Sequence, residues 1–201
     1  MQDLNPYDSE LLNRVEAYVK ELLNTKLPPT RVFHTLPHTV NVVRACCSLI
    51  AHYATSQANG EALLTAAWFH DTGYTETGVK HEEEGVKIAL RFLRDFNLPQ
   101  EFYLKIEGLI IATKLSASPK SLLEEMLCDA DLSHLGSEEY EMWSLRLKQE
   151  FERQLNKVIT LENWNQQNIF FFKNHAYYTT YAQQQWGPVK ENNLMMLLKS
   201  I

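Results

Sequence analysis

Cysteine is scarce: the 201 residues hold three, and two of those are neighbours, Cys46 and Cys47. That is no disulfide framework, so a reducing, cytoplasmic compartment is expected. Long apolar runs are missing as well. "NLMMLLKSI" near the end falls far short of a membrane span, and "MQDLNPYDSELL" has no basic stretch leading into an apolar one, so no secretory leader and no membrane partner are expected. Basic charge is in deficit, with 19 Lys and Arg against 25 Asp and Glu and a formal net charge of −6. The chain therefore lacks the basic footprint of a nucleic-acid binder, though a small anionic substrate is still allowed. Strand alternation, hairpin dipeptides, internal repeats and low-complexity tracts are absent too.

What the chain does have is helical periodicity. Glycine and proline number seven each, and they fall between long periodic segments. "SELLNRVEAYVKELLNT" repeats apolar residues at 11, 12, 15, 18, 19, 22 and 23, with Asp8 or Ser9 as N-cap and Pro28-Pro29 as the stop. "FHTLPHTVNVVRACCSLIAHYA" follows, with Thr35 placed to cap, Pro37 suited to a first turn, and a helix expected to about residue 57. "NGEALLTAAWFHD" predicts a helix over 60–71 that ends near Gly73. Further helices are expected around Pro99, Pro119 and Gly136, then over "EEYEMWSLRLKQEFERQLN" and "LENWNQQNIFFFKNHAYYTTYAQQQW", with a short last one after Gly187-Pro188. The expected fold is an all-α, single-domain helical bundle over 1–201.

Four polar residues interrupt or end these apolar segments: His38, His70, Asp71 and Asp131. Histidine and aspartate together form a borderline-to-hard ligand set, suited to Mn, Mg, Fe, Co or Zn rather than to a thiolate site. Successive helical residues diverge by about 100°. His70 and Asp71 can therefore share one ion only where a helix ends, and the glycine at 73 supplies such an end. Aspartate at a helix C-terminus opposes the macrodipole and wants a cation nearby. Each residue alone is also explained as a cap or a hydrogen-bonded side chain, and helical phase does not separate Asp129 from Asp131 in "CDADLSHLG".

In this order, "H…HD…D" resembles the signature of the HD-domain superfamily of metal-dependent phosphohydrolases. "FHTLPHTVNVV" looks like the "YHNxxHxxxV" segment of its cyclic-nucleotide phosphodiesterase branch. "AAWFHDTGY" is similar to the small-apolar-apolar-HD-x-G core, and "CDADLSHLG" to the segment holding the last aspartate. The resemblance covers roughly residues 30–136, the expected metal-binding core, with 137–201 as a C-terminal helical extension packed on it. It implies an all-helical fold, picks Asp131 over Asp129, and gives His38, His70, Asp71 and Asp131 as ligands, with Asp71 also catalytic. His34 matches the first histidine of "YHNxxH", which in that branch protonates the leaving oxygen. His81 opens "HEEEGVKIA", similar to a "HEExGA" segment that lines the site in many members.

Two departures matter. Thr35 stands where that branch has asparagine, and only His81 lies between the HD pair and the last aspartate, where two-metal branches bring further histidines. One divalent ion is therefore expected. Lys114, at the end of the apolar "IIAT" helix, is the candidate clamp for a phosphoryl group. His175 and Lys190, in the aromatic last third, are placed where they could close a pocket, and that aromatic tail leaves room for a homodimer. The expected activity is hydrolysis of a small phosphorylated substrate, a phosphomonoester or phosphodiester such as a nucleotide. The rivals are an HD-fold nucleotide sensor without turnover, an iron oxygenase on the same fold, and a purely structural bundle.

Overall fold

The Ser9 hydroxyl accepts from the Leu12 amide at 3.4 Å and opens helix α1, Glu10–Lys26. The computed structural model describes residues 6, 7 and 9–200, so Asp8, the other capping candidate, lies outside the described residues. Leu12, Val15, Val19 and Leu23 are buried along one stripe of α1. The helix stops at Leu27, which is extended at ψ 128° as the residue before a proline must be.

Helix α2 spans Leu36–His52 with Pro37 in its first turn; Thr35 is the N-cap residue but makes no side-chain capping bond. It is shorter than its apolar pattern suggests. Tyr53 leaves helical geometry and Ala54 turns left-handed at φ 46°, a conformation that costs a non-glycine residue about 1 kcal/mol. Helix α3, Gln57–Phe69, buries every residue from Ala62 to Phe69. A helix apolar on all sides belongs in the middle of a bundle, and α3 packs against α1, α2, α4 (His81–Leu93), α5 (Gln100–Ala112) and α6 (Leu122–Asp131). Its last turn therefore ends in the interior, not at the surface. A 3-10 turn at Thr72–Thr75 carries the chain out of it.

The described residues are all-α, with no strand among them, as the periodicity and the resemblance imply. None of their helices is long and apolar enough to cross a membrane. The chain divides into two units. The first runs up to Pro28 and over His34–Asp131; the second comprises Pro29–Phe33 and the chain from Leu132. The second unit holds a 3-10 turn at Ser133–Gly136, then α7 (Tyr140–Leu155), α8 (Leu161–Asn174), α9 (Thr180–Gln185) and α10 (Gly187–Leu198). Leu135, Tyr140 and Phe172 form its small core, with Leu132, Phe171, Leu194 and Leu197 packed around them. Glu150, only 1% exposed, accepts from the Val32 and Phe33 amides at 2.9 Å each and pairs with Arg31 at 3.0 Å.

The single long helix expected over 161–186 is two helices. His175 is extended at φ −92° and ψ 133°, and Thr179 starts α9 afresh by accepting from the Ala182 amide at 3.2 Å. The aromatic last third is thus not one continuous helical face: it breaks at His175. A cap at Thr179 competes with continued helix because its side chain offers the backbone another bond.

Candidate metal centre

All groups of this centre lie in the first unit. His38 comes from the first turn of α2, His70 caps the buried end of α3, Asp71 starts the 3-10 turn, and Asp131 closes α6. Because α3 ends in the interior, His70 is 1% and Asp71 5% exposed. Two polar side chains this deep need partners.

They find each other. His70 Nε2 lies 3.1 Å from Asp71 Oδ2, and His38 Nε2 lies 3.4 Å from the same oxygen. Asp131 Oδ1 is 3.1 Å from His38 Nε2 and 3.5 Å from His70 Nε2. Among the described residues, ligand atoms of His38, His70 and Asp71 lie within 4.8 Å of one another, close enough to share an ion. Donors about 2.1 Å from a common ion stand roughly 3.0–3.4 Å apart at adjacent positions, which matches these separations. Asp131, from α6, abuts the same two imidazoles, while Asp129, one turn-fraction earlier, is fully buried.

Tautomer and satisfaction point the same way. His70 Nδ1 donates to the Ala67 carbonyl at 2.7 Å, since a carbonyl can only accept. With Nδ1 committed to the backbone, Nε2 is the nitrogen that faces the carboxylates, the arrangement of a metal-binding histidine. His70 Nε2 and Asp71 Oδ2 are both buried and, although 3.1 Å apart, neither has a partner in hydrogen-bond geometry. Burial pushes the Asp71 carboxyl up, but His70 and then His34 and His38 hold it below the usual carboxylate range. Burial likewise raises Asp131, and the imidazoles of His38 and His70 beside it bring it well below that range. His70, which burial alone would make a weaker base, is lifted well above an ordinary imidazole by Asp71 and Asp131. Two ionised carboxylates closed into a low-dielectric pocket demand positive charge between them. A divalent ion held by His38, His70 and Asp71, with Asp131 beside them, would supply it, so the residues fit the group.

Around this knot stand three aromatic rings. His81 opens α4, with Nε2 3.7 Å from Asp71 Oδ1 and Nδ1 3.5 Å from Glu82 Oε2. Burial lowers its basicity, against the pull of Asp71 and Glu82. His34 lies before α2, its ring 6.0 Å from that of His38 and 6.4 Å from that of His81. The third ring is Tyr74, to which the sequence reading gave no role. Lys114, the candidate clamp, donates to Glu83 Oε1 at 2.7 Å. Glu83 sits two residues beyond His81, so the pair ties the end of α5 to the start of α4. His175 and Lys190 belong to the second unit, where the Lys190 ammonium donates to the His175 carbonyl.

Gly73 does not end α3 by adopting a left-handed turn; no described glycine has positive φ. It is there for space. A Cβ on Gly73 would lie 1.8 Å from the His81 carbonyl oxygen, and one on Gly85 would lie 3.1 Å from the Phe69 carbonyl oxygen. Through these two glycines the start of α4 lies directly on the turn that carries Asp71.

A family model described as HD domain matches residues 35–159. Comparison with curated proteins and with solved structures returns no significant match. The matched span contains His38, His70, Asp71, His81, Lys114 and Asp131, and starts one residue after His34.

Proposed function

The chain belongs to the HD-domain family, and from that premise we propose that it is a metal-dependent phosphohydrolase of small phosphorylated substrates. The observation that carries this reading is the buried knot itself: His70 Nε2 and Asp71 Oδ2 face each other at 3.1 Å with His38 and Asp131 beside them, yet neither atom has a partner in hydrogen-bond geometry. His38, His70, Asp71 and Asp131 would hold one divalent ion. When bound, that ion supplies Lewis acidity to a phosphoryl oxygen and makes a water nucleophilic near neutral pH.

The protein's own groups do the rest. Asp71 turns Oδ2 toward His38 and His70 and leaves Oδ1 toward His81; this carboxylate would take a proton from the attacking water. Water oxygen bonds to phosphorus as the ester P–O bond breaks. His34 gives its proton to the departing alkoxide oxygen, so the products are an alcohol and a phosphate. A donor matters most when the leaving oxygen is strongly basic. Lys114 would exchange its contact with Glu83 for a phosphoryl oxygen; the ion pair keeps the ammonium in place until then.

The test is phosphate or nucleoside release from phosphomonoesters, nucleotides and cyclic nucleotides. Protein supplemented with Mn, Mg, Co or Fe is run beside Asp71→Ala. Turnover that vanishes in the variant supports the reading and names the substrate class. Silence across the panel from metal-loaded protein rejects hydrolysis in favour of ligand sensing, and full metal occupancy in Asp71→Ala rejects the site.

A further inference from the structure

We infer that Tyr74 is a positioning residue: its ring is the common wall that fixes both His34 and His81 against the metal-binding knot. The inference rests on the proposed cation site, but its geometry stands alone. The Tyr74 ring stacks on His81 with centroids 3.8 Å apart and planes 16° from parallel. Its centroid is 4.4 Å from that of His34, with the planes tilted by 34°. One ring therefore touches two imidazoles that come from different elements, the segment before α2 and the first residue of α4.

Tyr74 itself has little freedom. It is 8% exposed, and its amide donates to the Asp71 carbonyl at 3.0 Å inside the 3-10 turn. The neighbouring residue, Gly73, has no room for a Cβ against the His81 carbonyl, so the backbones on either side of the stack are already in contact. The turn that carries the candidate ligand Asp71 thus carries, three residues on, the ring that packs on the imidazoles of His34 and His81. An imidazole has two side-chain torsions, and a flat neighbour on its face removes most of the freedom of the second. A proton donor and a site-lining histidine need that restriction, because misplacement by about 1 Å costs around 10²-fold in rate.

The experiment uses the full chain with isotope-labelled histidine. In the wild type, ring protons of His34 and His81 should carry the ring-current shift of a stacked tyrosine, and both should be relaxed by bound Mn²⁺. Tyr74→Leu should abolish the shifts and change the Mn²⁺ relaxation of both rings while Mn²⁺ affinity is kept. Tyr74→Phe should preserve all three. On any panel substrate that turns over, Tyr74→Leu should lower kcat about 10²-fold with KM unchanged, and Tyr74→Phe should restore it. Wild-type imidazoles without a ring-current shift, or a Tyr74→Leu protein with unaltered relaxation and kcat, overturn the inference. If Tyr74→Leu does not fold, Tyr74→Met replaces the ring with a chain of similar reach. A wild type that binds none of Mn, Mg, Co, Fe or Zn sinks the phosphohydrolase reading, and the diamagnetic shifts then decide the stack by themselves.

Discussion

An imidazole that commits one nitrogen to a backbone carbonyl has only the other to offer, and His70 offers it to two carboxylates. The candidates His38, His70, Asp71 and Asp131 were legible in the sequence for a simpler reason. A polar residue in an apolar helix has to be satisfied by something, and four of them in family order suggested what. Tyr74 and Glu83 could not be found that way. A tyrosine in a turn and a glutamate in an acidic helix start already have ordinary explanations, and their partners, His34 and Lys114, lie 40 and 31 positions away. Periodicity is blind to such contacts. The test of His34 belongs at this scale. His34→Ala should retain metal and lose about 10²–10⁴-fold in kcat, most with alkyl leaving groups and least with p-nitrophenyl esters. Equal losses across leaving groups in steady-state assays would remove its acid role.

At the scale of elements, the helices are where the apolar stripes put them, while two of their ends are not. α2 stops early at Ala54, and the segment over 161–186 breaks at His175. Both breaks come from local backbone choices that an apolar count does not record. Gly73 shows the converse case, a breaker whose position was legible and whose reason was not. Gly73→Ala should displace the start of α4 and cost about 1–3 kcal/mol, the range for forcing volume into a packed contact. Gly85→Ala should cost less, because its nearest contact is 3.1 Å rather than 1.8 Å. Denaturant melts of the two variants check the order.

The His175 segment carries a pH prediction of its own. The ring is packed between Phe171 and Tyr177, and both its nitrogens lack partners. Burial, and then the charge of Lys190, bring its pKa down to about 4. The unfolded chain therefore binds the proton first, near the ordinary value of about 6.5. Stability is full above that value and falls as pH drops from about 6.5 to about 4. His175→Phe should flatten that slope, which melting temperatures recorded across the window will show.

Over the whole molecule, the four candidate ligands are drawn from α2, the end of α3 and α6, and His38 and Asp131 are 93 positions apart in the chain. No short stretch of the unfolded chain can gather them. A cation held by all four would recognise an arrangement that exists only once α6 has docked on α2. Interactions absent from a folding transition state act on the unfolding rate alone. Added Mn²⁺ should leave the refolding arm of a chevron plot where it is and push the unfolding arm down. At about 100 times its dissociation constant the ion adds about 2.7 kcal/mol, close to a hundredfold longer native lifetime. A cell's metal supply would then set how long each molecule persists before it unfolds, as well as how fast it works.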